Sequence, residues 1–299
     1  MNIPRGQRSI IFDIVLTSCM LVLTAVTLYP FVNVLAISFN NAYDTVKGGI
    51  YLWPRMPTLA NYAEIFKKDT LLTGFRNSVL RTVIGTVTSV FCTSMMAYTL
   101  SRKDFMARRL FSLLFAVTMY VSGGLIPGYL LMRSLNLFNT FIVYIIPALL
   151  GAWNVIVVRS YIDGLPEEIQ ESARIDGAND LLIFLRFVLR LCTPVLATIA
   201  LFVAVGQWNS WFDSYLYNNA RGDLTTLQYE LQKMLTAANI QPRDASDAAT
   251  IDALVQQMRV TPDALKMAMS MFVTAPVLLV YPFLQKYFVT GLTLGAVKS

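Results

Sequence analysis

Between Arg81 and Ser101 the chain reads TVIGTVTSVFCTSMMAYTL (residues 82–100), a run without a single charge. The hydrocarbon core of a bilayer is about 30 Å thick and a helix crosses it with roughly 20 mostly apolar residues, so this run is long enough to span. Leu71–Leu100 is taken as the whole span; Arg76 and Arg81 near its start are expected to reach the interface by snorkelling. Composition agrees: the 299 residues are 56% hydrophobic and 14% charged, where a soluble domain carries about a quarter charged residues. Five further runs have the same character: Phe12–Phe39, Leu110–Met132, Leu135–Val158, Leu191–Tyr217 and Met267–Leu284. The sequence therefore predicts an all-α integral membrane fold of six transmembrane helices. Phe12–Ile37 is too long for the apolar core of a signal peptide and has no A-x-A-like cleavage site, so it is read as a span.

The net charge of +6 and pI near 9.2 would fit nucleic-acid binding in a soluble protein. Here the basic residues cluster between apolar spans, so topology accounts for them and no nucleic-acid partner is expected. Cys19, Cys92 and Cys192 lie in or beside apolar stretches, and an odd number implies no disulfide framework. The absence of histidine removes the commonest metal ligand and general base, and no Cys–carboxylate cluster replaces it. No metal and no catalytic residue are expected, so the chain is not read as an enzyme.

Orientation follows from the short links, since Lys and Arg are retained in the cytoplasm. Arg5 and Arg8 precede the first span, and Arg102, Lys103, Arg108 and Arg109 crowd the link after the second, whereas the link between the third and fourth spans carries only Arg133. Both termini are placed in the cytoplasm, with Arg159–Arg190 inside and Asn40–Thr70 and Asn218–Lys266 outside. The expected layout is one transmembrane domain (1–299) with a cytoplasmic loop at 161–190 and an external loop at 219–265. In the first outer segment Tyr51, Trp53, Pro54 and Pro57 mark turns, and Asn61, Tyr62, Ile65 and Phe66 a short interfacial helix. In the second, Leu227, Leu231 and Leu235 fall at i, i+4 and i+8, the pattern of an amphipathic helix. Whether that helix rests on an external partner or on the membrane surface, periodicity does not decide.

The loop LPEEIQESARIDGAND (165–180) reads as helix, turn, helix. Pro166 suits a first helical position, and Glu167 and Glu168 complement the positive end of the helix dipole. Gly177 suits the left-handed position that ends a helix, and Asn179 or Asp180 can cap the next. Ile169, Ser172, Ala173 and Asp176 share one face, whose small residues let another protein approach closely.

These residues resemble the permease subunits of binding-protein-dependent ABC importers, whose cytoplasmic loop carries E-A-A and, three residues on, D-G-A. This chain has Glu171-Ser172-Ala173 and Asp176-Gly177-Ala178. The likeness runs to the tail Gly291–Lys298; Arg159-Ser160-Tyr161 and the tail most resemble the sugar-importing branch, and within it the chain is most similar to oligosaccharide and aldouronate-type permeases. It implies that Glu171, Ser172, Ala173, Asp176, Gly177 and Ala178 couple the spans to cytoplasmic ATPase subunits. It further implies a second, similar permease and an extracellular solute-binding protein. The family's Leu-Pro is replaced by Leu189-Arg190, which points to a straighter entry into the fifth span, with Thr193-Pro194 available to take over the bend. No G-x-x-x-x-G-K-[ST] occurs, so nucleotide phosphates are not cradled here in the usual way. The resemblance implies that ATP and Mg are bound by the partner ATPase subunits, and no cofactor is expected in the chain itself.

Polar groups inside spans face cavities or partner helices. The fourth span offers Trp153 and Asn154; the fifth offers Gln207, Trp208, Asn209 and Trp211, followed by Asp213, Tyr215 and Tyr217. Amides beside indoles suit the hydroxyl rims and C–H faces of sugars. They also suit interhelical bonds and an interfacial belt, and Ser122-Gly123-Gly124 and Pro127-Gly128 in the third span suit either a bend or close packing. An ion-coupled secondary transporter is the alternative from another class, but the span centres have almost no carboxylates to couple with. The sequence predicts a permease subunit of an ATP-driven importer of oligosaccharides, uronate-containing ones among them.

Overall fold

The computed structural model describes the backbone of residues 7–238 and 260–296, with side chains for Ile10, for 12–236 and for 260–280. Arg5, the stretch 239–259 of the expected external loop and the last residues of the family-like tail lie outside that description. Residue contacts group the chain into two compact units. One is formed by the described residues up to Lys68 and between Lys233 and Thr274, the other by Asp69–Gln232 and those from Ala275 on.

In the first unit, helix α1 (Gln7–Ser38) buries only 6% of its most apolar window against the rest of the chain, so its surface is suited to lipid. Behind it the chain folds on asparagines. Asn33 Nδ2 donates to the carbonyls of Ile50 and Tyr51 at 2.7 and 3.0 Å. Asn61, fully buried on the short helix α3 (Ala60–Phe66), donates to Ser38 and Asn40 at 2.9 Å each. Asn40 in turn bonds Asp44, on α2 (Ala42–Val46), at 3.0 Å. These amides satisfy backbone groups that the break after α1 leaves open.

In the second unit the central element is α4 (Asp69–Ser101). Among its buried positions Asn77, Arg81, Gly85, Ser89, Thr93 and Ala97 recur every four residues and are small or polar, which lets neighbouring helices approach closely. A Cβ on Gly74 would lie 3.1 Å from the backbone nitrogen of Leu227, and one on Gly85 2.7 Å from Gln207 Nε2. Against α4 pack α7 (Ala152–Ile162) and α11 (Thr193–Asn209).

Three helices in the described residues are long and apolar enough to cross a membrane, within Phe12–Ser38, Asp69–Ser101 and Pro262–Val280, or up to five if two bent pairs each count as one. The expected six are not reached. Leu110–Met132 is divided into α5 (Arg108–Tyr120) and α6 (Leu125–Ser134), because Gly124 takes φ +83° and interrupts the helix. The expected fourth span is two 3₁₀ turns, Phe141–Tyr144 and Ile146–Ala148, followed at a 49° bend by α7. The last span lies within the long terminal helix Pro262–Ala296.

The entry to the fifth span is not straight. It runs from α9 (Asp180–Ile183) through a π turn, Phe184–Val188, and α10 (Leu189–Leu191), then bends by 81° at Cys192 into α11. Pro194 stands in the first turn of α11, where its missing N–H costs nothing, so Thr193-Pro194 does take the bend. After Asn209 the chain breaks again before α12 (Phe212–Asn218). The amphipathic pattern of the outer segment is realised as α13 (Leu227–Ala238), with Leu227 and Leu231 buried.

Gly85→Ala should lower the melting midpoint of the detergent-solubilised protein, as overpacking of about 1–3 kcal/mol would. Gly128→Ala, whose Cβ would meet nothing within 4 Å, should leave it unchanged or raise it. Equal midpoints for the two variants would show that α4 does not depend on this close approach.

Candidate functional site

Two places carry the chemistry, the hairpin at 161–190 and a buried polar network. In the hairpin, α8 (Glu167–Ile175) has Glu167 and Glu168 in its first turn and Arg174 in its last, both favourable to the helix dipole. Pro166 stands just before the helix, with φ −58° and ψ 126°, one place earlier than expected; its fixed φ is compatible with either position. The end is a Schellman motif. Gly177 takes φ +82°, its N–H donates to Arg174 O at 2.9 Å, and Ala178 N–H donates to Ala173 O at 2.9 Å. Asn179, not Asp180, caps α9, accepting from Leu182 N–H at 2.8 Å.

The face expected to join Ile169, Ser172, Ala173 and Asp176 is divided. Ile169 is half-buried, and Ala173, four residues on, turns inward, 5% exposed in a core with Leu100, Ile162, Ile183 and Phe184. Ala178 packs against the same core. Ser172 and Asp176, also four apart, remain exposed with Glu171 and Gly177. Beside them Ile175 is 87% exposed, an apolar tip that the sequence reading passed over although it directly precedes Asp176-Gly177-Ala178.

The second place centres on Arg81, which is 2% exposed and does not snorkel. Its guanidinium bonds both oxygens of Asp213, at 3.1 and 2.5 Å, and the carbonyl that the break at Ser210 leaves open, at 3.3 Å. Its Nε donates to Gln207 Oε1 at 3.1 Å, and the plane lies 4.4 Å from the centre of the Tyr144 ring. Gln207 Nε2 donates to Tyr144 O at 3.2 Å, while the Tyr144 hydroxyl donates its one proton to Leu224 O at 2.7 Å and accepts from the Ser214 hydroxyl at 3.1 Å. One turn away on α4, Asn77 Nδ2 donates to the carbonyls of Asp223 and Thr225, and Ser78 Oγ accepts from Leu227 N–H. Arg81 at the edge of the uncharged run in one span and the single carboxylate Asp213 in another were the available signal, and nothing local pairs them.

Arg81, Tyr144, Gln207, Asp213 and Tyr217 line a cavity of about 320 Å³. Of the expected path residues only Gln207 is in that wall. Trp208 is buried edge-on to Phe75 at 6.2 Å and lines an apolar groove instead. Trp153 is 59% exposed, Asn209 is exposed, and Asn154 and Trp211 are half-buried.

Apolar helices of membrane length, a buried ion pair on α4 and an exposed hairpin beyond its carboxyl end mark a helical membrane protein. Polygalacturonan/rhamnogalacturonan transport system permease protein YtcP of Bacillus subtilis (strain 168) is 36% identical over 293 residues, covering 98% of this chain and 100% of the relative. The chain belongs to the same family, the permeases of ABC sugar-transport systems. Arabinooligosaccharides transport system permease protein AraQ of Halalkalibacterium halodurans is 31% identical over 92% of each chain. A chain from the crystal structure of a bacterial ABC transporter involved in the import of the acidic polysaccharide alginate is 28% identical, with TM-score 0.84, over 96% of this chain and 100% of that one. No family model matches. Its relatives being transport permeases, the chain is a membrane transport subunit and not an enzyme.

Removing one partner of a buried ion pair strands the other charge, at a cost of about 3–5 kcal/mol, whereas an apolar pair of similar volume can be nearly neutral. Arg81→Ala and Asp213→Ala should each abolish accumulation of folded protein in membranes, and the double variant Arg81→Met/Asp213→Leu should recover most of it. Quantitative blotting with a thermal-shift assay checks both; a double variant as poor as the singles would count against a fastening role.

Proposed function

We propose that this chain is one permease half of an ATP-driven, binding-protein-dependent importer of oligosaccharides, uronate-containing ones among them. With a second, homologous permease it forms the translocation path; an extracellular solute-binding protein delivers the sugar, and cytoplasmic ATPase subunits, which hold ATP and Mg, drive the cycle. Both termini are cytoplasmic in this reading, as the arginine-rich link after α4 favours.

The observation that carries it is the hairpin. A Schellman-terminated helix rooted in the core by Ala173 holds Glu171, Ser172, Ile175, Asp176 and Gly177 outward, which gives an ATPase cleft a rigid knob to grip. Rigid-body switching needs such a handle. Family membership and the lack of a phosphate-binding loop support the same division of labour. Asp213 gives no support to an ion-coupled carrier, since Arg81 already neutralises it.

For the sugar, the cavity bounded by Gln207 and Arg81 is the proposed wall of the path, with Trp153, Asn154, Asn209 and Trp211 offering indole faces and amides to hydroxylated rings. Trp208 supports that wall from its apolar side. Uronate-containing cargo is favoured by two similar proteins, whose names specify polygalacturonan/rhamnogalacturonan and alginate.

Glu171→Lys should abolish sugar uptake and sugar-stimulated ATP hydrolysis in cells carrying the complete transporter, with the chain still inserted. Gly177→Val should do the same, because left-handed backbone costs a residue with a Cβ about 1–2 kcal/mol. In a cysteine-free background, Asp176→Cys should react only with thiol reagents that enter the cytoplasm. Labelling from outside, or normal uptake by Glu171→Lys, would refute the assignment.

A further inference from the structure

The hairpin is joined by the chain to α7 on one side and to the π turn and α10 on the other. The central helix α4 has no such join, since its last residue, Ser101, lies more than sixty positions before Glu167. Any push on the hairpin reaches α4 only through side chains. The route through the chain toward the fifth span passes the π turn and the 81° bend, both points where a helix yields.

Beside the apolar core that Ala173 and Phe184 share with Tyr98 and Leu100 lies a closed ring of ion pairs with alternating sign, which adds directional contacts to that packing. Arg102, the residue after α4, bonds Asp104 through Nε at 3.2 Å and Nη2 at 2.9 Å. It also faces Asp180, in the first turn of α9, at 3.7 Å. Arg174, in the last turn of α8, meets the same two carboxylates, Asp180 at 3.2 Å and Asp104 at 3.8 Å. Arg102 further donates to Gln170 on α8 at 3.2 Å, and its side chain is only 13% exposed. Beside the ring Lys103 pairs with Glu167, and a cleft of about 490 Å³ opens between the link and α8.

Single exposed pairs contribute little, whereas a network shares the entropy of holding each side chain. The Arg102 hydrogen bond holds the Asp104 carboxyl below its ordinary range, against the smaller raising effect of burial. A depressed carboxylate contributes above its unfolded pKa, about 3.9, and ceases to as pH falls through the lower folded value. Asp104 therefore remains charged at neutral and mildly acidic pH.

We propose that the ring Arg102–Asp104–Arg174–Asp180 is the linkage that carries movement of the coupling hairpin into α4, distinct from the exposed surface of Glu171, Ser172 and Asp176 that meets the ATPase. These are positioning residues: they touch neither sugar nor nucleotide. The proposal rests on the coupling role of the hairpin and adds which span it drives and through which contacts.

The test uses the complete transporter in proteoliposomes, reading sugar taken up per ATP hydrolysed together with the amount of assembled complex. Arg102→Gln, Asp104→Asn and Asp180→Asn should each lower that ratio at least fivefold with assembly unchanged, and Arg102→Lys should restore part of it. Asp104→Asn/Asp180→Asn, at opposite corners of the ring, should lose little more than either single variant, because a broken ring is already open. A normal ratio in the single variants, full additivity in the double, or uptake falling only in step with lost assembly would overturn the linkage. Glu171→Lys separates the two ideas: if it abolishes uptake while the ring variants transport normally, the hairpin's role stands and the ring's falls. If Glu171→Lys transports normally, the hairpin reading itself fails.

Discussion

The bidentate pair between Arg81 and Asp213 is the constraint around which the second unit is arranged. An arginine at 2% exposure within an apolar helix is tolerable only if its donors are met, and here they are met by three separate pieces of chain. Asp213 comes from α12, the Ser210 carbonyl from the break before it, and Gln207 from the last turn of α11. The break at Ser210 frees the carbonyl, the guanidinium occupies it, and the register of α11 against α4 follows. Gly85, one turn further along, leaves the room that Gln207 needs. Tyr144 closes the other side with its ring over the cation and its hydroxyl on Leu224 O.

α4 is thus held at two levels by different means. Near Arg81 the fastening is buried, hydrogen-bonded and short-ranged, while beyond its carboxyl end it is a ring of ion pairs, mostly exposed, around Arg102. Between them lies the apolar core shared with α7, the hairpin and α11, where Ala97, Val155, Ile183 and Ile199 meet. Coupling between distant sites is carried by packed side chains, polar networks and rigid elements, and α4 has such contacts at both levels.

Much of this was legible in the sequence where the signal is local. Long apolar runs gave α1, α4 and the terminal helix, since span length needs no partner to be read. Gly177 and Asn179 were read as a helix end and a helix start, because left-handed backbone and side-chain capping are properties of a few adjacent residues. The inward turn of Ala173 was missed, since a stripe of small residues fits an outer interface and an inner core equally well. Ser122-Gly123-Gly124 suited a bend and close packing equally, and Gly124 makes the break; the 3₁₀ turns before α7 were overrun by counting apolar residues, which measures length and ignores direction. Arg81 was sent to the interface because its partner is 132 residues away, beyond the reach of any pattern in one window.

That separation has a consequence for how the protein is made. A ribosome adding about 5–20 residues each second needs roughly 7–26 s to extend the chain the 132 residues from Arg81 to Asp213. Throughout that interval the guanidinium has no counter-charge and must stay with water or lipid headgroups. α1, whose apolar window is only 6% covered by the rest of the chain, can settle in the bilayer as soon as it emerges. α4 cannot reach its final depth until α12 has been synthesised, so the second membrane-length helix to be translated is among the last to be seated.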